Sequence, residues 1–428
     1  MLDIKFIRLN SEAVKKSLID RKTKIDIDKF IAMDIEKRQL LQETEGLKNK
    51  RNECSKEIGE LIKSGQEAES KKKDVKTLSQ KIAKIDSKVG ELTLKLDNLL
   101  HSIPNIPHKS VPVGPDDKAN VIIKEWGKIE KPAFCLKDHI ELAQQLDIID
   151  FERATKVAES NFSLFKGDGA RLVRALINYM LDFHGAENGY KEIWPPALVC
   201  EDSMFATGQL PKMEEDMYKL KGDDLYLIPT AEVPLTNMYR GEVLSENELP
   251  ICMCAYTPCF RREAGSYGKD TRGLVRVHQF DKIELVKLVV PQNSYNEHEN
   301  ILKNAEQILQ GLKLPYRIAS LSTGELSFAA AKCYDIEAWA PGAGRYFEVS
   351  SVSNFEDFQA RRGNIRYKDN KNQKINHVHT LNGSGVALAR TIICILETYQ
   401  QKDGSILIPD VLRPYMGNQK YIEASAKK

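Results

Sequence analysis

Apolar positions recur along this chain in two rhythms, one helical and one extended. Val75, Leu78, Ile82, Ile85, Val89, Leu92, Leu96 and Leu99 follow one another at alternating steps of three and four, the a/d seam of a coiled coil. The stretch before them carries a weaker version through Leu40, Thr44, Leu47, Arg51, Cys54, Ile58 and Leu61. Between the two, residues 63–67 (KSGQE) interrupt the pattern with a glycine in a polar setting, and residues 28–100 contain no proline, tryptophan or tyrosine. The pattern predicts one antiparallel helical hairpin over about 28–100, each arm roughly 45–50 Å long at 1.5 Å per residue. So thin an element has no core beyond its own seam and is expected to project from a globular body.

The helical rhythm stops at Pro104 and Pro107, with Pro112 and Pro115 following; prolines at this density forbid helix continuation and mark a linker. The expected organisation is an N-terminal domain, 1–104, and a second domain, 105–428. In the second domain helices and strands are mixed. Residues 168–184 and 383–399 have helical periodicity, and 191–199 reads as an apolar strand broken by Pro195 and Pro196. Residues 350–362, 365–367 and 377–381 look like alternating strand and loop. Over 255–286 two apolar, β-prone runs flank a polar segment rich in glycine and arginine, the signature of an antiparallel hairpin with a long charged loop.

Composition narrows the picture. The 428 residues are 42% hydrophobic and 29% charged with a formal net charge of +2, so no global electrostatic footprint announces a nucleic-acid partner and any such footprint is local. The first residues mix charges into their apolar positions, unlike a signal peptide. No run approaches the roughly 20 apolar residues of a membrane helix. The expectation is a cytoplasmic protein without membrane association. Eight scattered cysteines suit a reducing compartment. Cys252, Cys254 and Cys259 do not have a common zinc spacing, so no zinc is expected. Lysines such as Lys48, Lys56, Lys73 and Lys88 outnumber acids on the hairpin's outer faces. On charge alone they fit a solvated helical surface better than a phosphate-binding one.

The candidate chemistry lies in 255–286. Arg261, Arg262 and Arg276 are suited to phosphate oxygens, and Glu263 and Glu284 to amino or hydroxyl donors on the same ligand. There is neither a P-loop nor a GxGxxG fingerprint, so a nucleotide bound here sits on another fold.

Three segments then fall into one order. Residues 188–196 (NGYKEIWPP), 260–263 (FRRE) with 276–280 (RVHQF), and 383–390 (GSGVALAR) resemble motifs 1, 2 and 3 of the class II aminoacyl-tRNA synthetases. With TAE at 230–232, HQFDKIE at 278–284, EVSS at 348–351 and the N-terminal hairpin, the set resembles the bacterial-type seryl-tRNA synthetase family from end to end. That resemblance implies an α+β fold: an antiparallel catalytic sheet flanked by helices, with the coiled-coil hairpin N-terminal to it. It implies activation of L-serine with ATP to seryl-adenylate and transfer of the seryl group to serine tRNA.

By resemblance, Arg261, Arg276 and Arg390 are the catalytic arginines: Arg261 at the α-phosphate and the substrate carboxylate, Arg276 at the γ-phosphate. Glu263 would accept from the adenine amino group, and Phe280 and Arg390 would sandwich the purine. Arg262, Val277, Glu348, Val349, Ser350 and Ser351 complete the ATP set. Glu348 and Ser351 would also hold Mg²⁺, a hard cation that bridges carboxylate and phosphates. Glu284 and Ser384 would take the serine hydroxyl, and Thr230, Ala231 and Glu232 would line the site for its ammonium group. His278 is expected to pack beside motif 2. The family also implies a homodimer, a hairpin that reaches the long variable arm of serine tRNA, and a loop at 265–273 that meets the tRNA acceptor end. Two other readings compete: a related ligase that loads a carrier protein, and an RNA-binding paralogue without catalysis. The first lacks the long arm, and the second would have lost Arg261, Glu348 or Arg390.

Overall fold

The computed structural model describes residues 1–264 and 272–424. They form two compact units, Leu2–Pro104 and Asn105–Lys428, with Met1 grouped with the latter.

The first unit is dominated by two long helices, α1 (Ile27–Lys63) and α2 (Glu69–Ser102). The Asp26 carboxylate caps α1 by accepting from the Lys29 amide at 2.9 Å, which satisfies a donor the helix leaves unpaired. The periodic positions are the ones withdrawn from water: Thr44, Ile82, Ile85, Leu92 and Leu96 are buried, and the other seam residues are half-buried. Ion pairs cross the seam from Glu36 to Lys88 (2.6 Å), from Glu43 to Lys81 (3.1 Å) and from Lys48 to Asp86 (3.4 Å), and Glu57 pairs with Lys71. From Glu36–Lys88 through Glu43–Lys81 to Glu57–Lys71 one partner's number rises as the other's falls, which fixes the arms as antiparallel. The break at 63–67 is where α1 ends, and Gly65 adopts φ +71°. At 37 and 34 residues the arms are about 50–55 Å long, slightly longer than expected. Four of the hairpin lysines therefore neutralise the opposite arm. Lys50, Lys56, Lys63, Lys73, Lys76 and Lys84 carry no ion pair among the described residues.

The second unit is built on an eight-stranded sheet. In chain order its strands are β1 (Val121–Trp126), β2 (Lys191–Glu192), β3 (Ile251–Phe260), β4 (Gln279–Val289), β5 (Tyr316–Ser320), β6 (Lys332–Ala340), β7 (Arg345–Asn354) and β8 (His379–Ala387). Across the sheet they run β1-β5-β6-β7-β8-β4-β3-β2. Every pairing is antiparallel except β2 with β3. Helices α3 (His139–Leu146), α4 (Asp168–Ala186), α5 (Ser294–Gly311) and α6 (Leu388–Thr398) pack against it. Leu172, Leu176 and Met180 of α4, Ile301 and Ile308 of α5, and Ile392 and Ile393 of α6 share one core with Ile283 and Leu285 of β4. Side chains alternate across a strand, so Phe280, Lys282 and Glu284 emerge on the other face of β4, where a cavity opens.

The helical reading of 383–399 is corrected at its start. Residues 383–387 complete β8 and the helix begins at Leu388. Gly383 pairs with Leu285 on one side and with Val352 on the other, and two ladders outweigh local helical periodicity. A Cβ at Gly383 would lie 2.4 Å from the Ile301 side chain, so only glycine admits α5 this close to the sheet. Within 350–362, the stretch Phe358–Gly363 is a short helix instead of strand or loop.

Candidate active site

β3 and β4 form the hairpin expected from 255–286, with Cys259 opposite Phe280 and Phe260 opposite Gln279. It is closed at its loop end by His278, whose carbonyl accepts the Arg261 amide at 2.9 Å and whose Nδ1 donates to the Arg261 carbonyl at 3.0 Å. His278 thus does more than pack: it fixes the backbone that presents Arg261. The loop at 265–273, expected to meet the tRNA acceptor end, lies outside the described residues over 265–271.

A cavity of about 420 Å³ sits above the sheet. Thr230, Glu232, Arg261, Glu263, Arg276, Val277, Phe280, Glu284, Glu348, Val349, Ser350, Ser351, Ser384 and Arg390 all face it, so nearly every residue singled out in the sequence arrives at one place. Two do not. Ala231 is buried behind Thr230 and Glu232, and the Arg262 guanidinium lies over the Tyr218 ring, 5.7 Å from its centroid, away from the cavity.

One end of the cavity is a connected polar network in which only Asn382 Oδ1 lacks a partner among the described residues. The Lys282 ammonium donates to the Thr230 hydroxyl at 2.8 Å, and that hydroxyl donates to Glu284 at 3.1 Å. Lys282 also pairs directly with Glu284. The Asn382 amide bridges two carboxylates, donating to Glu232 at 2.9 Å and to Glu284 at 3.1 Å. Gln359 donates to the other oxygen of Glu232 at 2.6 Å. Glu232 is buried beside a second acid, and burial first, then the Glu284 charge, pushes its carboxyl up to about 7. Ser384 stands directly opposite Glu284 in the ladder, and a β-bulge follows between Ser384 and Val386. The bulge re-aims the strand at the point where it enters α6. The Ser350 hydroxyl donates to the Ser384 carbonyl at 2.6 Å and holds this turn from beneath.

The other end is built from arginines and carboxylates in mutual contact. Arg276 pairs with Glu263, a residue held at φ +52°. Arg390 donates from Nε to the Val275 carbonyl at 3.2 Å and from Nη1 to the Glu348 carbonyl at 2.8 Å, and it lies 3.3 Å from the Glu348 carboxylate. Arg261 spans the two ends. Its Nε donates to the Pro229 carbonyl at 3.4 Å and its guanidinium lies over the Phe280 ring, 5.2 Å from its centroid.

Lys282, Asn382, Gln359 and Asp335 were missed in the sequence, and all but Gln359 line the cavity. Lys282 had a signal: it stands two residues before Glu284 on one strand, hence on one face. Asp335 is paired with Ser351 in the ladder. Burial and the nearby Glu348 carboxylate hold its carboxyl well above the ordinary aspartate range. No cluster of three or more His, Cys, Asp or Glu side chains suited to a metal occurs among the described residues.

Comparison with known proteins agrees with this geometry. Residues 1–107 match the seryl-tRNA synthetase N-terminal domain, and residues 215–399 match the class II tRNA synthetase core domain shared by the G, H, P, S and T enzymes. The serine–tRNA ligase of Carboxydothermus hydrogenoformans is 54% identical over 417 residues, which cover 97% of this chain and 98% of that one. That of Thermodesulfovibrio yellowstonii is 53% identical over 420 residues, 97% and 99% of the two chains. The crystal structure of seryl-tRNA synthetase from Pyrococcus horikoshii complexed with ATP superposes with a TM-score of 0.94 at 40% identity over 100% of both chains. In sequence along its whole length, and in the sheet that carries these residues, the chain belongs to the seryl-tRNA synthetase family of class II synthetases.

Proposed function

We infer that this chain is a serine–tRNA ligase: it activates L-serine with ATP, releasing pyrophosphate, and passes the seryl group to the 3′ end of serine tRNA. The observation that carries this reading is the two-ended cavity, with a carboxylate-and-hydroxyl network at one end, arginines at the other and Arg261 between them. Arginines alone would suit many phosphate ligands. Glu232 and Glu284 beside Thr230 and Ser384 match a small ligand bearing an ammonium and a hydroxyl.

Each group has a distinct chemical task. The serine carboxylate is ionised at neutral pH, so attack on the α-phosphorus needs no strong base. It needs alignment and neutralisation of phosphate charge. Arg261 would hold the carboxylate and an α-phosphate oxygen together as the new C–O–P bond forms and pyrophosphate departs. Glu263 would then accept from the adenine amino group while Arg276 grips the γ-phosphate. These two residues touch, so the ends of the nucleotide assigned to them would bind close together, and ATP would lie folded. Phe280 and Arg390 would enclose the purine. Glu348 and Ser351 would hold Mg²⁺, which when bound neutralises phosphate charge. The site fits such a cation, because Asp335 and Glu348 already repel one another beside Ser351. At the serine end, Glu284 and Ser384 would pair with the hydroxyl. A ligand lacking that hydroxyl leaves them unsatisfied, worth roughly 10⁴ in discrimination.

The unit Leu2–Pro104 is assigned to tRNA. Its unpaired hairpin lysines suit the phosphates of a long variable arm, recognised by shape more than by base. A homodimer accounts for motif 1, where Trp194 is 76% exposed beside two prolines. The charged tRNA would then be gripped by one subunit and acylated by the other.

A serine-dependent ATP–pyrophosphate exchange assay on the purified chain tests the first step. Exchange with serine is expected, and its absence from a folded protein would refute the reading. Replacing residues 48–88 by a short bridge should spare exchange and abolish tRNA charging.

A further inference from the structure

A buried histidine outside the cavity controls one of its walls. His139 opens α3, whose N-terminus is closed by a capping box between Asp138 and Glu141. The ring is 4% exposed, and Glu397 on α6, against which it packs, is fully buried. The Leu274 amide donates to His139 Nε2 at 3.2 Å. Nε2 is therefore the unprotonated nitrogen and the ring proton sits on Nδ1, which lies 3.3 Å from Glu397 Oε1. Glu397 is itself pinned: Oε1 accepts the His139 amide at 3.0 Å and Oε2 accepts the Ala343 amide at 2.9 Å. Gly273, at φ +66°, passes so close that a Cβ there would lie 2.2 Å from Nε2. The chain after the motif 2 loop is thus pressed against the imidazole edge.

Immediately after Leu274 the chain enters the nucleotide end of the site. The Val275 carbonyl accepts from Arg390, and Arg276 pairs with Glu263. Arg390 and Glu397 lie about two turns apart on α6, so a single helix carries both the arginine and the anchor of the histidine.

We propose that His139, oriented by Glu397, is a positioning residue that fixes residues 274–276 and thereby the grip of Arg276 and Arg390 on ATP. The proposal rests on the nucleotide reading of that end of the cavity. His139 touches no substrate; it acts through the Leu274 amide. The charged groups around the ring are Glu397 from α6, Arg272 from the loop, Arg345 from β7 and Asp138 from its own helix.

Two polar substitutions in the full-length protein separate positioning from bulk packing. In His139→Gln the amide oxygen reaches the place of Nε2 and can accept from Leu274, whereas in His139→Asn it reaches only the place of Nδ1. In serine-dependent exchange, His139→Asn is expected to raise the KM for ATP about tenfold and leave that for serine within about twofold. His139→Gln should restore most of the loss. The proposal is overturned if His139→Asn keeps the wild-type KM for ATP, or if His139→Gln is as impaired as His139→Asn. Arg276→Ala separates the two levels of the argument. If it raises the KM for ATP while His139→Asn does not, only the role of His139 fails; if it leaves the KM unchanged, the nucleotide reading fails with it.

Discussion

The two ends of the cavity are made in opposite ways. The end assigned to serine is a hydrogen-bonded network that links Lys282, Thr230, Glu284, Asn382, Glu232 and Gln359, with Asn382 Oδ1 buried and without a partner among the described residues. At the end assigned to the nucleotide, arginines are instead paired with carboxylates, Arg276 with Glu263 and Arg390 with Glu348. Rigid polar networks discriminate, since a wrong ligand leaves buried groups unpaired. Exchangeable ion pairs hold their side chains near the right place without committing them. On the proposed reading, specificity for the small substrate lies in a buried network and capture of the large one in exchangeable arginine–carboxylate pairs.

The strongest way to break this comparison is to remove the residue common to both ends. Arg261→Ala should lower serine-dependent exchange by about 10²–10³-fold, the usual effect of losing one charge-stabilising donor at a reacting centre. An effect below tenfold would mean that the two ends do not meet at Arg261. Next comes a change confined to the rigid end. Glu284→Gln should raise the KM for serine by about 10²-fold and leave that for ATP nearly unchanged, because it breaks the ion pair with Lys282 and one acceptor for the hydroxyl. Initial-rate kinetics in both substrates measure this split, and a parallel rise in both values would show the ends to be coupled. The smallest effect is a pH dependence. Glu232 has a folded pKa of about 7, above its ordinary 4.5, so its contribution to stability is fully present below pH 4.5 and is lost as pH rises through 7. A serine ammonium offsets that loss by pairing with the ionised form. The rise in melting temperature caused by saturating serine should therefore grow between pH 5.5 and 8, and a shift flat across that range would exclude Glu232 as the ammonium partner.

How much of this was legible depended on how local each signal was. The coiled-coil seam could be read from Val75 to Leu99 because its period is set within one helix, and every seam position is buried or half-buried. The hairpin around Arg261 was legible because both strands are near in sequence. Lys282 was legible in principle, by alternation with Glu284. Asn382 was hidden, because glycines and small residues after it mimic a helix start, and only pairing with β4 and β7 makes that stretch a strand. His139 and Glu397 are 258 residues apart, and nothing local links them. Long-range partners of buried polar groups are what a single sequence conceals most completely.

Gly385 adds a last consequence. A Cβ there would lie 2.8 Å from His184 Nε2 and 3.1 Å from Ile283, and the same strand is closed to side chains at Gly383. Ser384, assigned to the serine hydroxyl, is flanked by two positions that no side chain can enter without displacing a packed neighbour. A lineage drifting toward another amino acid could not reshape the pocket from this strand by small steps. It would have to begin on the opposite wall, at Thr230 or Glu232, and the strand bearing Ser384 would stay as it is.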